Sequence, residues 1–348
     1  MPHLFLDTER MANLASGMGQ FCLHLGNELV RQKPADWQIT FLVSREQVGI
    51  FGSSVDYLVA TRWRRVWHPW TFDVWHCPYQ NSRFTPMRKT ALVYTILDLN
   101  YLSLPEYSAK RKARQKARYQ QLVNQAAAVT TISSYVAEDV RKQLVVPPTT
   151  PVEVIYLGMD KPKDIVSSFT VKPDGPFLFF IGMLQAYKNV HAMLPLLEAF
   201  PNYRLVLAGP DDKPYVQELR DQATRMGVAD RLIIPGPVDE ATKWWLYANC
   251  DAFLFPSLHE GFGLPVIEAM SFGKPVFCST LSSVPEVGGS EAFYFPAFDP
   301  ETVVKVFQVG METYDNDPEM PARIMEHSRK FRWELTAAAY WNLYQSVV

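Results

Sequence analysis

Residues 256–268 read PSLHEGFGLPVIE. The apolar run ahead of them, AFLF at 252–255, has the length and make-up of a buried strand. Behind them, residues 266–272 carry helical spacing, and Pro265 stands at the expected helix start, where its missing N–H has no partner to lose. Gly261 and Gly263 leave the backbone bare just before that helix. A strand, a glycine loop and a helix start, in that order, aim backbone N–H groups and a positive helix end at one point, which suits a phosphate. Glu260 and Glu268 bracket the loop, eight residues apart. Carboxylates beside a phosphate site serve something other than the phosphate: they accept hydrogen bonds in pairs, as from the hydroxyls of a ribose or a hexose. The plain alternative is a helix start carrying two surface glutamates.

Outward from this stretch the chain alternates strands and helices. Strand-like runs lie at 3–6, 38–43, 56–60, 73–76, 90–97, 128–133 and 152–157, and helical spacing at 20–31, 108–126 and 134–144. Residues 160–175 have linker composition, with Lys161, Pro162, Lys163, Pro173 and Gly175. A second series follows, with strands at 177–181, 203–208, 231–234, 252–255, 275–278 and 292–295. Its helices are expected at 189–200, 215–226, 240–248 and 302–313. The tail, 321–348, is helical and aromatic, with Phe331, Trp333, Tyr340, Trp341 and Tyr344. Such alternation predicts parallel sheets with right-handed crossovers. Two Rossmann-like halves predict a ligand cleft at the carboxyl ends of both sheets.

Length and composition agree. The 348 residues suffice for two domains, and 48% apolar residues for two cores. A net charge of −2 gives no global pull toward nucleic acid. Cys22, Cys77, Cys250 and Cys278 stand far apart without a CxxC pair, which fits a reducing compartment rather than zinc or a disulfide framework. The opening MPHLFLDTERM lacks a signal-peptide pattern, and no run of 18 apolar residues occurs, so the expected place is the cytoplasm or its membrane face.

Single residues add detail, each with a plain counterpart. Gly17-Met18-Gly19 after the first strand either lets backbone approach a diphosphate or makes a tight turn. It is not the full dinucleotide fingerprint, because Cys22 fills the third glycine's place, which weighs against a nicotinamide dehydrogenase. Lys188 in GMLQAYKN can neutralise a departing diphosphate, or be solvated at a helix start. Asp98 ends a strand and can orient or deprotonate an acceptor hydroxyl, or cap the strand end. His76, also at a strand end, can face the cleft or be a satisfied structural histidine. Ser133 and Ser134 open a helix and read best as caps. Asp315-Asn316-Asp317 has metal-binding spacing but reads as a polar turn. Lys110, Arg111, Lys112, Arg114, Lys116 and Arg118 crowd one helix without an acid, and Arg62, Trp63, Arg64 and Arg65 are followed by Trp67 and Trp70. Arginine with tryptophan suits an anionic membrane surface, and a solvated face is the alternative.

The longer stretch 251–286, DAFLFPSLHEGFGLPVIEAMSFGKPVFCSTLSSVPE, resembles the donor-site signature of retaining glycosyltransferases of the GT-B fold, family 4. The resemblance implies two Rossmann-like domains facing each other across a cleft: 1–160 for the acceptor and 161–325 for the nucleotide sugar. It further implies a C-terminal helix, 326–348, crossing back onto the first domain. It places Glu260 on the sugar hydroxyls, Glu268 on the ribose, and Gly261, Phe262, Gly263 and Leu264 around the donor. It brings Gly17 and Gly19 to face the donor, puts the nucleobase at Val238, and makes Lys188 half of a cationic clamp. Glu286 is a further feature of the family near the donor loop. The family's accompanying arginine is absent: Met183 and Tyr187 stand in its places, and Leu97 replaces a histidine before Asp98. The implied activity is metal-independent transfer of a hexose, of mannose or glucose type, from a nucleoside diphosphate sugar to a glycan or lipid-linked glycan. No other cofactor is expected, and cell-surface polysaccharide or lipopolysaccharide assembly is the implied setting. The missing arginine leaves a second reading, a non-catalytic partner in a glycan-assembly complex.

Overall fold

The computed structural model describes residues 1–14, 16–63, 71–86, 90–103, 107–162 and 172–348. The chain forms two units, Met1–Gly158 with Phe331–Val348, and Met159–Lys330. In chain order the first unit contains β1 (His3–Asp7), α1 (Gly17–Arg31), β2 (Gln38–Val43), β3 (Asp56–Val59), β4 (Val74–Cys77) and β5 (Ala91–Ile96). It continues with α2 (Asn100–Ser103), α3 (Ala109–Gln125), β6 (Ala126–Thr131), α4 (Ser134–Gln143) and β7 (Val152–Val154). The second unit begins with β8 (Phe177–Ile181), α5 (Pro195–Ala199), β9 (Arg204–Ala208), α6 (Pro214–Arg225), β10 (Leu232–Gly236), α7 (Glu240–Asn249) and β11 (Ala252–Phe255). Then come α8 (Leu264–Met270), β12 (Val276–Ser279), α9 (Val284–Gly288), β13 (Phe293–Phe295), α10 (Pro300–Asn316) and α11 (Met320–Ser328). The last helix, α12 (Trp333–Ser346), belongs to the first unit.

Among the described residues the first unit has a parallel sheet in the order β3-β2-β1-β4-β5-β6-β7, and the second one in the order β10-β9-β8-β11-β12-β13. Both are α/β sheets whose order reverses beside the first strand, at β1/β4 and at β8/β11. That reversal is where open sheets of this kind take ligands. The central strands are apolar on both faces, as a parallel sheet covered by helices requires: Leu4, Phe5 and Leu6 of β1, and Phe253, Leu254 and Phe255 of β11, are all buried. Each strand's run of large apolar groups therefore drives one core per unit.

Local signals set most helix ends. Ser16, Ser133, Asp239 and Asp299 cap α1, α4, α7 and α10 through side-chain oxygens that accept backbone N–H bonds. The chain departs from expectation in two places. The segment 189–200 is not one helix: Asn189 sits in the left-handed region (φ 57°), and tight 3-10 turns fill the space before α5, which opens at Pro195. The tail is broken rather than continuous, because Arg329 to Arg332 separate α11 from α12. Helix α11 stays with the second unit, where His327 Nε2 lies 2.8 Å from the Val287 carbonyl. Within the first unit, α12 packs on α1, with Trp341 Nε1 donating to the Leu29 carbonyl (3.2 Å) and the Trp333 ring stacked on His24 (5.3 Å). The expected linker lies largely outside the described residues, as do Arg64, Arg65, Trp67 and Trp70.

Candidate active site

In the second unit, two loops leave the sheet where its order reverses, one after β8 and one after β11. The first carries Lys188 on a 3-10 turn, Ala186–Lys188. The second carries Glu260. They are stitched together by the Leu258 N–H, which donates to the Tyr187 carbonyl at 2.8 Å. Lys188 Nζ lies 2.5 Å from Glu260 Oε1, with both side chains about seven-eighths buried at 12% and 14% exposure. The ammonium also sits 5.2 Å from the Tyr187 ring centroid and 5.7 Å from that of Phe255. Sequence reasoning gave these two residues separate duties; the structure makes them one ion pair.

The β11 loop is held from below. Ser279 Oγ donates to the Ser257 carbonyl (2.6 Å), and Ser283 Oγ to the carbonyls of Glu260 (3.0 Å) and Phe262 (2.8 Å). The Glu260 N–H in turn donates to Ser282 Oγ at 3.1 Å. Phe262 is buried beneath the loop, so the backbone rather than this side chain faces outward. Gly263 caps α8 at φ 112°, a conformation that residues with a Cβ rarely adopt. Leu264, half-buried, opens α8 two residues earlier than the apolar spacing indicated. These serine braces were not read from sequence; the signal was the pair Ser282-Ser283 following a strand.

Glu268, one turn into α8, is gripped at both oxygens from α7. Tyr247 donates its hydroxyl to Oε2 at 2.7 Å, and Lys243 Nζ lies 3.3 Å from Oε1 and 2.8 Å from Glu240. Burial disfavours the Lys243 ammonium, but the carboxylates of Glu268 and Glu240 outweigh it and hold its pKa above the ordinary lysine value. Lys243 and Tyr247 were missed, although their spacing of four residues puts them on one face of a helix. Val238, half-buried, lies in the loop after β10.

In the first unit the expected residues fare differently. Gly17 and Gly19 form the first turn of α1 and not a free loop: the Gly19 N–H donates to Ser16 Oγ (3.1 Å). A Cβ at Gly19 would meet the Asn13 carbonyl oxygen at 2.2 Å, so this glycine is required by the fold's own packing, while a Cβ at Gly17 would point into open space. Asp98 is half-buried after β5; its Oδ1 accepts from the Asn100 N–H (3.1 Å), as a cap does, and its carbonyl accepts from Gln80 Nε2 (3.1 Å). His76 is not at an open strand end. It is fully buried, with Nε2 2.8 Å from Thr95 Oγ1 and Nδ1 2.7 Å from the Tyr344 hydroxyl of α12. Burial alone pushes its pKa down to about 3. A neutral imidazole closed in by a helix cannot touch an acceptor, and the acceptor-side reading of His76 is corrected to a structural one.

Asp7, which sequence reasoning passed over, ends β1. It is fully buried, accepts from the Glu9 N–H (3.0 Å) and from Ser82 Oγ, and burial raises its carboxyl to about 6. Ser133 is a cap, and Glu286 is half-buried in the first turn of α9. Asp315 and Asp317 lie at the end of α10, where Asp317 pairs with Arg323 at 2.8 Å, as a turn residue would. The four cysteines are buried and unbridged.

Two Rossmann-like units, the second with a glycine and glutamate loop at its sheet reversal, have the architecture of a GT-B glycosyltransferase. Residues 15–161 match the family described as Glycosyltransferase Family 4 and residues 163–331 the one described as Glycosyl transferases group 1; the chain belongs to this glycosyltransferase family. It is 26% identical over 302 residues to the O-antigen chain mannosyltransferase B of Escherichia coli, covering 78% of this chain and 74% of that protein. It is 29% identical over 205 residues to the lipopolysaccharide core biosynthesis mannosyltransferase LpsB of Rhizobium meliloti, covering 55% of this chain and 54% of that one. The serotype-specific mannosyltransferase WbdA of E. coli matches at 31% over 167 residues, 46% of this chain and only 20% of that longer protein. The fold is that of sucrose-phosphate synthase from Thermosynechococcus elongatus (TM-score 0.79, 16% identity, 100% of this chain and 99% of that one). It is also that of Anabaena Alr3699/HepE, solved in complex with UDP and glucose (TM-score 0.72, 18% identity, 99% and 100%).

Proposed function

We propose that this glycosyltransferase is a retaining, metal-independent hexosyltransferase that uses a nucleoside diphosphate sugar. Its acceptor is a glycan or lipid-linked glycan, in the assembly of a cell-surface polysaccharide or lipopolysaccharide. The observation that carries the reading is the Lys188–Glu260 pair beside the Gly261–Gly263 loop, where the sheet order reverses. A diphosphate approaching that loop competes with Glu260 for the Lys188 ammonium. Lys188 then neutralises the departing diphosphate, and Glu260, released from it, accepts from hydroxyls of the sugar. Preorganised positive charge of this kind acts on the charge that develops as the glycosidic bond breaks. Glu268 takes the ribose hydroxyls, and Val238 lies at the nucleobase. Transfer runs as a front-face displacement, the leaving phosphate assisting deprotonation of the acceptor, with Asp98 on the acceptor side. The mannosyltransferase names among its relatives, and the UDP and glucose bound to a structural neighbour, support a hexose on a nucleotide carrier. Thermal unfolding against UDP-, GDP- and ADP-sugars is the direct test. At a hundredfold excess over Kd a true donor adds about 2.7 kcal/mol, several degrees in Tm. No shift with any of them, and no nucleoside diphosphate released, would overturn the reading.

The acceptor side is proposed to meet an anionic membrane on its cytoplasmic face. Helix α3 buries Tyr119, Leu122 and Val123 and leaves Lys110 and Arg114 on the opposite, exposed side. Arg111 leans on the rings of Tyr101 and Tyr107 (5.6 and 5.0 Å), and Trp63 is 75% exposed next to exposed Arg62. No helix among the described residues is long and apolar enough to cross a membrane. Each lysine or arginine near such a surface contributes about 1 kcal/mol. Flotation is therefore expected with liposomes containing anionic lipid, lost with neutral ones and reduced in Lys110→Glu/Arg114→Glu; equal non-binding would remove the membrane from the scheme.

A further inference from the structure

Glu268 is held at both carboxylate oxygens, and the holding residues lie on another helix. Tyr247 is fully buried, its ring packed against Phe179 (5.1 Å between centroids) and Phe253 (5.3 Å), so its hydroxyl has a fixed position 2.7 Å from Glu268 Oε2. Lys243 holds Oε1 at 3.3 Å while sharing its charge with Glu240. The Glu268 side chain remains 16% exposed, so it is not closed off from solvent. Each carboxylate oxygen has about two acceptor sites. One is used on each oxygen, and both oxygens keep one for a hydroxyl. Joining α7 to α8 alone does not require such an arrangement, since well-packed apolar residues of similar volume often replace a buried ion pair at no cost in stability.

We propose that Tyr247, assisted by Lys243, is a positioning residue that aims both oxygens of Glu268 at a vicinal diol, and so sets the preference for ribonucleotide over deoxyribonucleotide donors. This rests on the nucleotide-sugar reading given above. The test is titration calorimetry of the full chain with UDP, GDP and ADP. The tightest binder is then compared with its 2′-deoxy counterpart in wild type, Tyr247→Phe and Lys243→Met. Wild type prefers the ribonucleotide by about tenfold or more, the worth of a hydrogen bond to a charged group. Tyr247→Phe, which loses only a hydroxyl, is expected to reduce that preference to about threefold or less, by weakening the ribonucleotide and leaving the deoxy form within about twofold. Lys243→Met shifts the same ratio in the same direction and serves should Tyr247→Phe fold poorly. Variants that lose Tm but keep the wild-type ratio would overturn the proposal and leave the donor reading intact. A wild type that binds both nucleotides equally would overturn the proposal alone, and one that binds no nucleotide would overturn the reading and the proposal together.

Discussion

Lys188→Ala is expected to lower kcat/KM for the donor by about 10²- to 10³-fold, the usual cost of removing one preorganised charge from a site where negative charge develops. The same change strips the largely buried Glu260 of the ammonium 2.5 Å away, so stability falls as well. The two effects separate in a cycle. Glu260→Gln removes the charge that Lys188 was offsetting, so Lys188→Ala/Glu260→Gln is expected to regain most of the lost stability and none of the activity. Steady-state kinetics and urea unfolding on the four proteins measure both. If Lys188→Ala keeps kcat/KM within about threefold of wild type, the ammonium does not meet the diphosphate and the proposed chemistry fails at its centre.

Acid will destabilise the first unit through His76. Its imidazole is fully buried among Thr95, Tyr340 and Tyr344, hydroxyl groups that offer no counter-charge. Thr95 Oγ1 is itself 2.6 Å from Thr130 Oγ1 and 3.2 Å from the Tyr340 hydroxyl, which closes a neutral network. The pKa falls from 6.5 to about 3 on folding. A folded pKa below the unfolded one gives stability that is complete above pH 6.5 and is lost as pH falls toward 3, because the unfolded chain binds the proton first. The loss is about 3 kcal/mol by pH 4 and approaches about 5 kcal/mol below that. His76→Gln carries no titrating group, so the stability difference between it and wild type should shrink by that amount between pH 7 and pH 4. The wild-type imidazole resonance should also fail to titrate above pH 4. A His76 signal titrating near 6.5 would show that the network admits water.

The loop from Pro256 to Gly263 was legible because its signals are neighbours in the chain. Four apolar residues, two glycines and a proline dictate strand, turn and helix start within a dozen positions. The alternation that predicts two parallel sheets is local in the same sense. Where local signals misled, a backbone detail overrode them. The left-handed Asn189 and Pro195 broke an expected helix, and of the two readings open for Gly19 the tight turn is the one the structure shows, with the Asn13 carbonyl filling the space a Cβ would take.

The succession of strands and helices along the chain, helix stripes and the presence of two acids around a bare loop follow from the amino-acid sequence alone, because side-chain periodicity and turn chemistry act over a few residues. Partnership does not. Lys188 finds Glu260 across 72 positions, and His76 meets Tyr344 across 268. Glu268 is gripped by a lysine and a tyrosine on a different helix. Which polar group ends up facing which is decided by crossovers that carry distant segments to one sheet end, and by a last helix that returns to cover the first unit. Charge pairing and burial depend on those distances, so only the folded chain shows that the histidine is enclosed among hydroxyls and that the lysine is paired with a glutamate.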